Sequence, residues 1–95
     1  MGRIAERVYT DQDDIARIES WVEQLPDEAR VAVRLVDGGE VQGVVAARPT
    51  VQTFLDGNDH EGLNAIVRID DAGDPRRAHY IWLDRIAGVR HLDTA

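Results

Sequence analysis

The residues from Arg30 to Ala47 constrain the fold of this chain more than any other stretch. Val31, Val33 and Leu35 alternate with Ala32, Arg34 and Val36. Asp37-Gly38-Gly39 follows, and Val41, Gly43 and Val45 then alternate with Gln42, Val44 and Ala46. Two period-two runs around an Asp-Gly turn specify a β-hairpin, because glycine supplies the backbone conformation that such turns need. Gly38 and Gly39 are therefore assigned to the turn. Gly43 lies inside the second run and predicts a bend, where the strand crosses from one half of a sheet to the other.

The flanking sequence supplies one helix and more strands. Thr10 with Asp13, or Asp11 with Asp14, has the spacing of a capping box. Ile15, Ile18, Val22 and Leu25 then recur at helical spacing with Trp21 beside them, while Arg17, Glu19, Ser20 and Glu23 take the other side. This predicts a helix over 11–25, stopped by Pro26. Further alternation predicts strands over 30–36, 40–48, 63–70, 78–84 and 86–92. Asp56 to Gly62 reads as a loop, Asp71 to Pro75 as a turn and Asp84-Arg85 as a corner. The expected fold is mainly β with one N-terminal helix, in a single domain over 1–95. Five short strands with a bent second strand favour a strongly bent antiparallel sheet or partly open small barrel, capped by the helix.

Composition narrows the partners. A chain of 95 residues builds a thin core, and self-association is a natural remedy. The absence of cysteine excludes disulfides and thiolate metal sites. The formal charge is −7, and all eleven basic residues are arginines scattered along the sequence. Such a surface repels phosphate polyanions unless a basic patch is segregated on one face. The start mixes acids and bases and does not read as a secretory signal, and no apolar run would span a bilayer. A cytoplasmic protein without membrane contact is expected.

The chemically suggestive clusters read as structure. Asp56, Asn58, Asp59, His60 and Glu61 offer oxygens from one loop, but Glu61 stands where a calcium-binding EF-hand loop needs glycine. Asp70, Asp71 and Asp74 form a second acidic turn. His60, His79 and His91 lack ligand-like spacing, and no nucleophile-elbow pattern occurs. Tyr80 and Trp82 alternate with Ile81 and Leu83; they could stack bases, but with few aromatics and no basic groove they read rather as packing under the helix or at a subunit contact. Arg76-Arg77 is a solvated pair. Neither an enzyme, a metal nor a cofactor is expected.

Gly38-Gly39, Gly43 and an asparagine opening the third strand, Asn64, complete a pattern that resembles the Sm-like fold of Sm, Lsm and Hfq proteins. The likeness runs from Thr10 to Leu92. More specifically, Val8-Tyr9-Thr10-Asp11, Gln24-Leu25-Pro26, Arg48-Pro49-Thr50, Glu61-Gly62-Leu63-Asn64 and Trp82-Leu83-Asp84 resemble small bacterial proteins of unknown function, the DUF3247 family. The resemblance implies an Sm-like fold and, at Asn64, Asp59 and Arg85, the counterparts of an RNA site. Leu83-Asp84-Arg85-Ile86 replaces the Arg-Gly pair of that site and puts an acid where phosphate would approach. The expected function is thus a non-enzymatic interaction module that forms homo-oligomers through sheet edges, its protein partner unspecified. RNA binding through the loops around Asn64 and Arg85, disfavoured by the net charge, is the alternative.

Overall fold

The computed structural model of this chain describes residues 4–92; residues 1–3 and 93–95 lie outside the described residues. Helix α1 spans Gln12–Glu23. Asp11 is its N-cap with extended backbone, but no side chain caps the first turn, so neither capping box forms. Asp13 and Asp14 still lie at the positive end of the helix dipole. The helix stops two residues short of Leu25. The N–H groups of Gln24 and Leu25 turn back to the carbonyls of Trp21 and Val22, at 3.0 and 3.2 Å, tightening the last turn ahead of Pro26. Ile18, Val22 and Leu25 are buried.

Seven strands follow: β1 (Arg30–Leu35), β2 (Glu40–Val45), β3 (Gln52–Leu55), β4 (Glu61–Asn64), β5 (Ile66–Asp71), β6 (Ala78–Trp82) and β7 (Ile86–His91). Five form an antiparallel sheet in the order β6-β5-β2-β1-β7, and β3-β4 forms a second, two-stranded sheet. Strands β6 and β7 are the two edges of the larger sheet, which does not close. A 3-10 turn, Leu83–Arg85, joins them. The fold is mainly β with one helix and an open five-stranded sheet. In the β1-β2 turn Gly38 has φ 96°, and the Gly39 N–H donates to Asp37 Oδ1 at 2.8 Å.

The β3-β4 pair corrects the sequence reading, which left Gln52 to Leu55 unassigned and ran one strand over 63–70. The two sheets are halves of one long hairpin. Val45 pairs with Ile69, and Gln52 pairs with Asn64. Residues 46–51 therefore stand opposite 65–68, and the first arm carries two more residues than the second. That excess, around the buried Pro49, breaks the ladder and bends the hairpin. The second arm changes phase at the same place. Gly62 and Asn64 are buried before it; Ala65, Val67 and Ile69 are buried after it.

Gly43 lies where the two halves of the larger sheet overlap, paired with Val31 on one side and Asp71 on the other. A Cβ there would meet the Asp70 carbonyl oxygen at 2.0 Å. Only glycine admits that approach. The core fills the concave side, where Val31, Val33, Val45, Val67, Ile69, Ile81, Leu83 and Ile86 meet Ile18, Val22 and Leu25.

Candidate functional site

Asn64 ends β4 at the bend, with 1% of its surface exposed. Its Nδ2 donates to the Arg7 carbonyl at 3.0 Å and to Asp84 Oδ1 at 3.2 Å. Its Oδ1 accepts the Ala65 N–H at 2.8 Å. Both amide donors are used, which is how a buried asparagine is stabilised. Asp84 projects from the 3-10 turn, and its other oxygen accepts the Tyr9 hydroxyl at 2.9 Å. Burial, and then the Asp84 carboxylate, raise the pKa of the Tyr9 phenol above its ordinary value.

The segment before α1 closes over this network. Tyr9 and Leu63 exchange backbone hydrogen bonds at 2.8 and 2.9 Å, and the Ala5 N–H donates to the Leu55 carbonyl at 2.8 Å. Gly62 permits the approach, since a Cβ there would lie 2.9 Å from both the Tyr9 carbonyl oxygen and the Val8 side chain. Beside the segment lies a shallow cavity of about 190 Å³, lined by Glu6, Arg7, Tyr9, Val36, Trp82, Asp84 and Arg85.

These contacts separate the three residues implied by the RNA-site resemblance. Asn64 is enclosed and its hydrogen-bonding groups are occupied. Arg85 is exposed at the cavity rim, with its carbonyl accepting the Val36 N–H at 2.8 Å. Asp59 sits in the β3-β4 turn with φ 63°, more than about 10 Å along the strand from Asn64. Asn64 and the turn that holds Arg85 are brought together; Asp59 is not. The sequence reading missed Tyr9; Asp84, expected as a charge that opposes phosphate, is also the acceptor that joins Tyr9 to Asn64.

A family model described as a domain of unknown function, DUF3247, matches residues 2–92. The chain belongs to the DUF3247 family. A protein of the bacterium Xanthomonas campestris, whose crystal structure is described as a novel variant of the Sm-like motif, is similar to this chain at 41% identity. The match covers 98% of this chain and 100% of that one, with a TM-score of 0.91. No curated protein matches.

The two acidic turns of this DUF3247 chain hold their carboxylates internally. Asp56 accepts the N–H groups of Asn58 and His60 at 2.8 and 2.9 Å, and its other oxygen lies 3.2 Å from His60 Nδ1. These contacts, the His60 N–H foremost, hold its carboxyl below the usual range. Asp71 meets His79 Nε2 at 2.8 Å and accepts the N–H groups of Gly73 and Asp74. Its carboxyl is lowered too, chiefly by His79. Trp82 packs edge-on against Phe54 of the small sheet, with ring centroids 5.0 Å apart, rather than under the helix; Tyr80 is 64% exposed.

Proposed function

We propose that the protein is a non-enzymatic interaction module that self-associates through the edges of its five-stranded sheet. The observation that carries this is that, among the described residues, no further strand pairs with the edges β6 and β7. The Arg68 carbonyl is taken by the Ala46 N–H on the β2 side, so Tyr80, opposite Arg68, directs its own N–H and C=O outward from β6. On β7, the Leu92 N–H bonds to Arg30 on the β1 side, so the alternate residues His91 and Val89 point theirs outward. An unmatched edge is a template for another strand. Pairing β6 of one copy with β7 of the next is a head-to-tail contact, which builds rings if the rotation closes. The exposed Tyr80 adds apolar area to that contact.

Sedimentation velocity over a range of concentrations tests this reading, with Tyr80→Pro beside the native protein. Proline removes the outward N–H while the β5-β6 ladder keeps its bonds. Oligomers of the native chain that Tyr80→Pro dissociates support the reading. A native chain that stays monomeric at high concentration rejects it. RNA binding, the alternative, depends on Asn64 and Arg85, and the bonds already made by Asn64 weigh against it.

A further inference from the structure

The outer face of the larger sheet lines up three arginines in a way the sequence concealed, with Glu40 and Asp70 in the same rows. Val31 and Val33 point into the core, so Arg30, Ala32 and Arg34 point outward. Arg90 on β7 pairs with Ala32, and Gly88 pairs with Arg34. Arg30, Arg90 and Arg34 thus occupy three successive outward rows, about 7 Å apart along the strands. Gly88 lets the Arg34 guanidinium lie across β7: a Cβ there would be 3.3 Å from its terminal nitrogen. Ala32 keeps the middle row low and is 5% exposed.

Two concavities flank this stripe. One, of about 270 Å³, is lined by Ala32, Arg34, Glu40, Gly88, Val89 and Arg90. The other, of about 540 Å³, takes apolar lining from Val44, Ala72, Pro75 and Leu92 and is also lined by Arg30, Asp70 and Asp71. The carboxylates beside Arg30 are engaged: Asp70 meets Arg68 at 3.1 Å and Asp71 meets His79 at 2.8 Å. Arg90 has one carboxylate partner among the described residues, Glu40, at 3.7 Å. Among the described residues, no carboxylate lies within 4.0 Å of the Arg30 or Arg34 guanidinium.

We propose that this face binds an extended acidic segment of a protein partner, with carboxylates on alternate residues and an apolar side chain at one end. Alternate residues of an extended chain repeat at about 7 Å on one side, the spacing of the three rows. Each carboxylate then meets one guanidinium, a geometry that arginine serves well. The apolar side chain occupies the larger groove beside Arg30. Single-stranded nucleic acid fits less well, because it calls for aromatic platforms beside the cations. Tyr80 lies three strands away, at the β6 edge.

Fluorescence anisotropy with the full chain tests the proposal. The probe is a fluorescein-labelled peptide Leu-Ser-Glu-Ser-Glu-Ser-Glu, compared with an isomer whose three glutamates are consecutive. The alternating peptide is expected to bind at least about threefold more tightly, since consecutive side chains point to opposite sides. The double variant Arg30→Gln/Arg34→Gln should weaken binding by up to about tenfold, and raising the salt should weaken it further. Arg17→Gln, on the helix, should change nothing, and far-UV circular dichroism checks that each variant is folded. Equal binding of the two peptides, no binding, or indifference to the double variant overturns the proposal. Labelled oligouridine that displaces the peptide and depends on the same arginines overturns it too, in favour of a nucleic-acid face.

Discussion

Asn64 Nδ2 and Asp84 Oδ1 lie 3.2 Å apart, joining the end of β4 to the turn between β6 and β7. Asp84 also holds Tyr9, so one carboxylate ties three distant parts of the chain together. Replacing Asn64 with alanine leaves the Ala65 N–H and the Arg7 carbonyl without a partner. A loss of about 1–3 kcal/mol is expected in urea denaturation, the cost of buried groups left unsatisfied. An unchanged midpoint would show that solvent replaces the amide.

Gly43 gives a second prediction. The Asp70 carbonyl blocks a Cβ at 2.0 Å, and a backbone atom cannot swing aside as a side chain can. Gly43→Val should cost on the order of 1–3 kcal/mol. Gly57→Ala is the control, because beyond its chain neighbours no atom lies within 4 Å of the Cβ it would add. Equal midpoints for the two variants would refute the close approach as the reason for glycine.

The lowered Asp71 carboxyl predicts an acid limb. Its folded pKa lies below the ordinary 3.8, so its contribution is complete above that value and is lost as pH falls through the folded pKa. Thermal melts from pH 5 downward should show Asp71→Asn losing less stability than the native chain does. Parallel curves would mean that the His79 contact adds nothing to folding.

Tyr9 predicts the opposite limb. Its folded pKa lies above 10.0, so the unfolded chain ionises first and stability falls as pH rises past that value. Tyr9→Phe cannot ionise and should flatten the fall, at the cost of the Asp84 bond. A native fall that Tyr9→Phe leaves unchanged would place its origin elsewhere.

Oligouridine and oligoadenosine should not bind at physiological salt. Asn64 is enclosed, Asp84 adjoins Arg85, and the chain carries a net charge of −7. Backbone affinity comes largely from counterions released by clustered cations, and the cavity beside Asn64 and Arg85 gathers only Arg7 and Arg85, with Glu6 and Asp84 opposing them. Anisotropy at two salt concentrations decides it, and a steep isotherm abolished by Arg85→Ala would restore an RNA site there.

The first hairpin was legible because its turn and both its alternating faces lie in one continuous stretch. The helix was legible for the same reason, through the spacing of Ile15, Ile18, Val22 and Leu25. Gln52 to Leu55 escaped notice because Phe54 is its one fully buried side chain. The phase change at Asn64-Ala65 was hidden because a buried polar residue follows Leu63, the residue that alternation would bury. The Asn64-Asp84-Tyr9 network joins residues 20 and 75 positions apart, and local patterning carries no record of such a distance. The arginine stripe was obscure for a related reason: Arg90 joins Arg30 and Arg34 only through the β1-β7 pairing.

That pairing also governs the order in which the sheet assembles. Val31 meets Gly43 twelve positions on, but meets His91 sixty positions on. Closing the longer loop costs roughly 1.4 kcal/mol more in chain entropy. The β1-β2 hairpin is thus the natural nucleus, and β7 docks late. Val89→Ala should therefore speed unfolding more than it slows folding in stopped-flow experiments. A strand that arrives last is also one that a neighbouring copy can donate in its place, so crowded refolding favours exchange of β7 between chains.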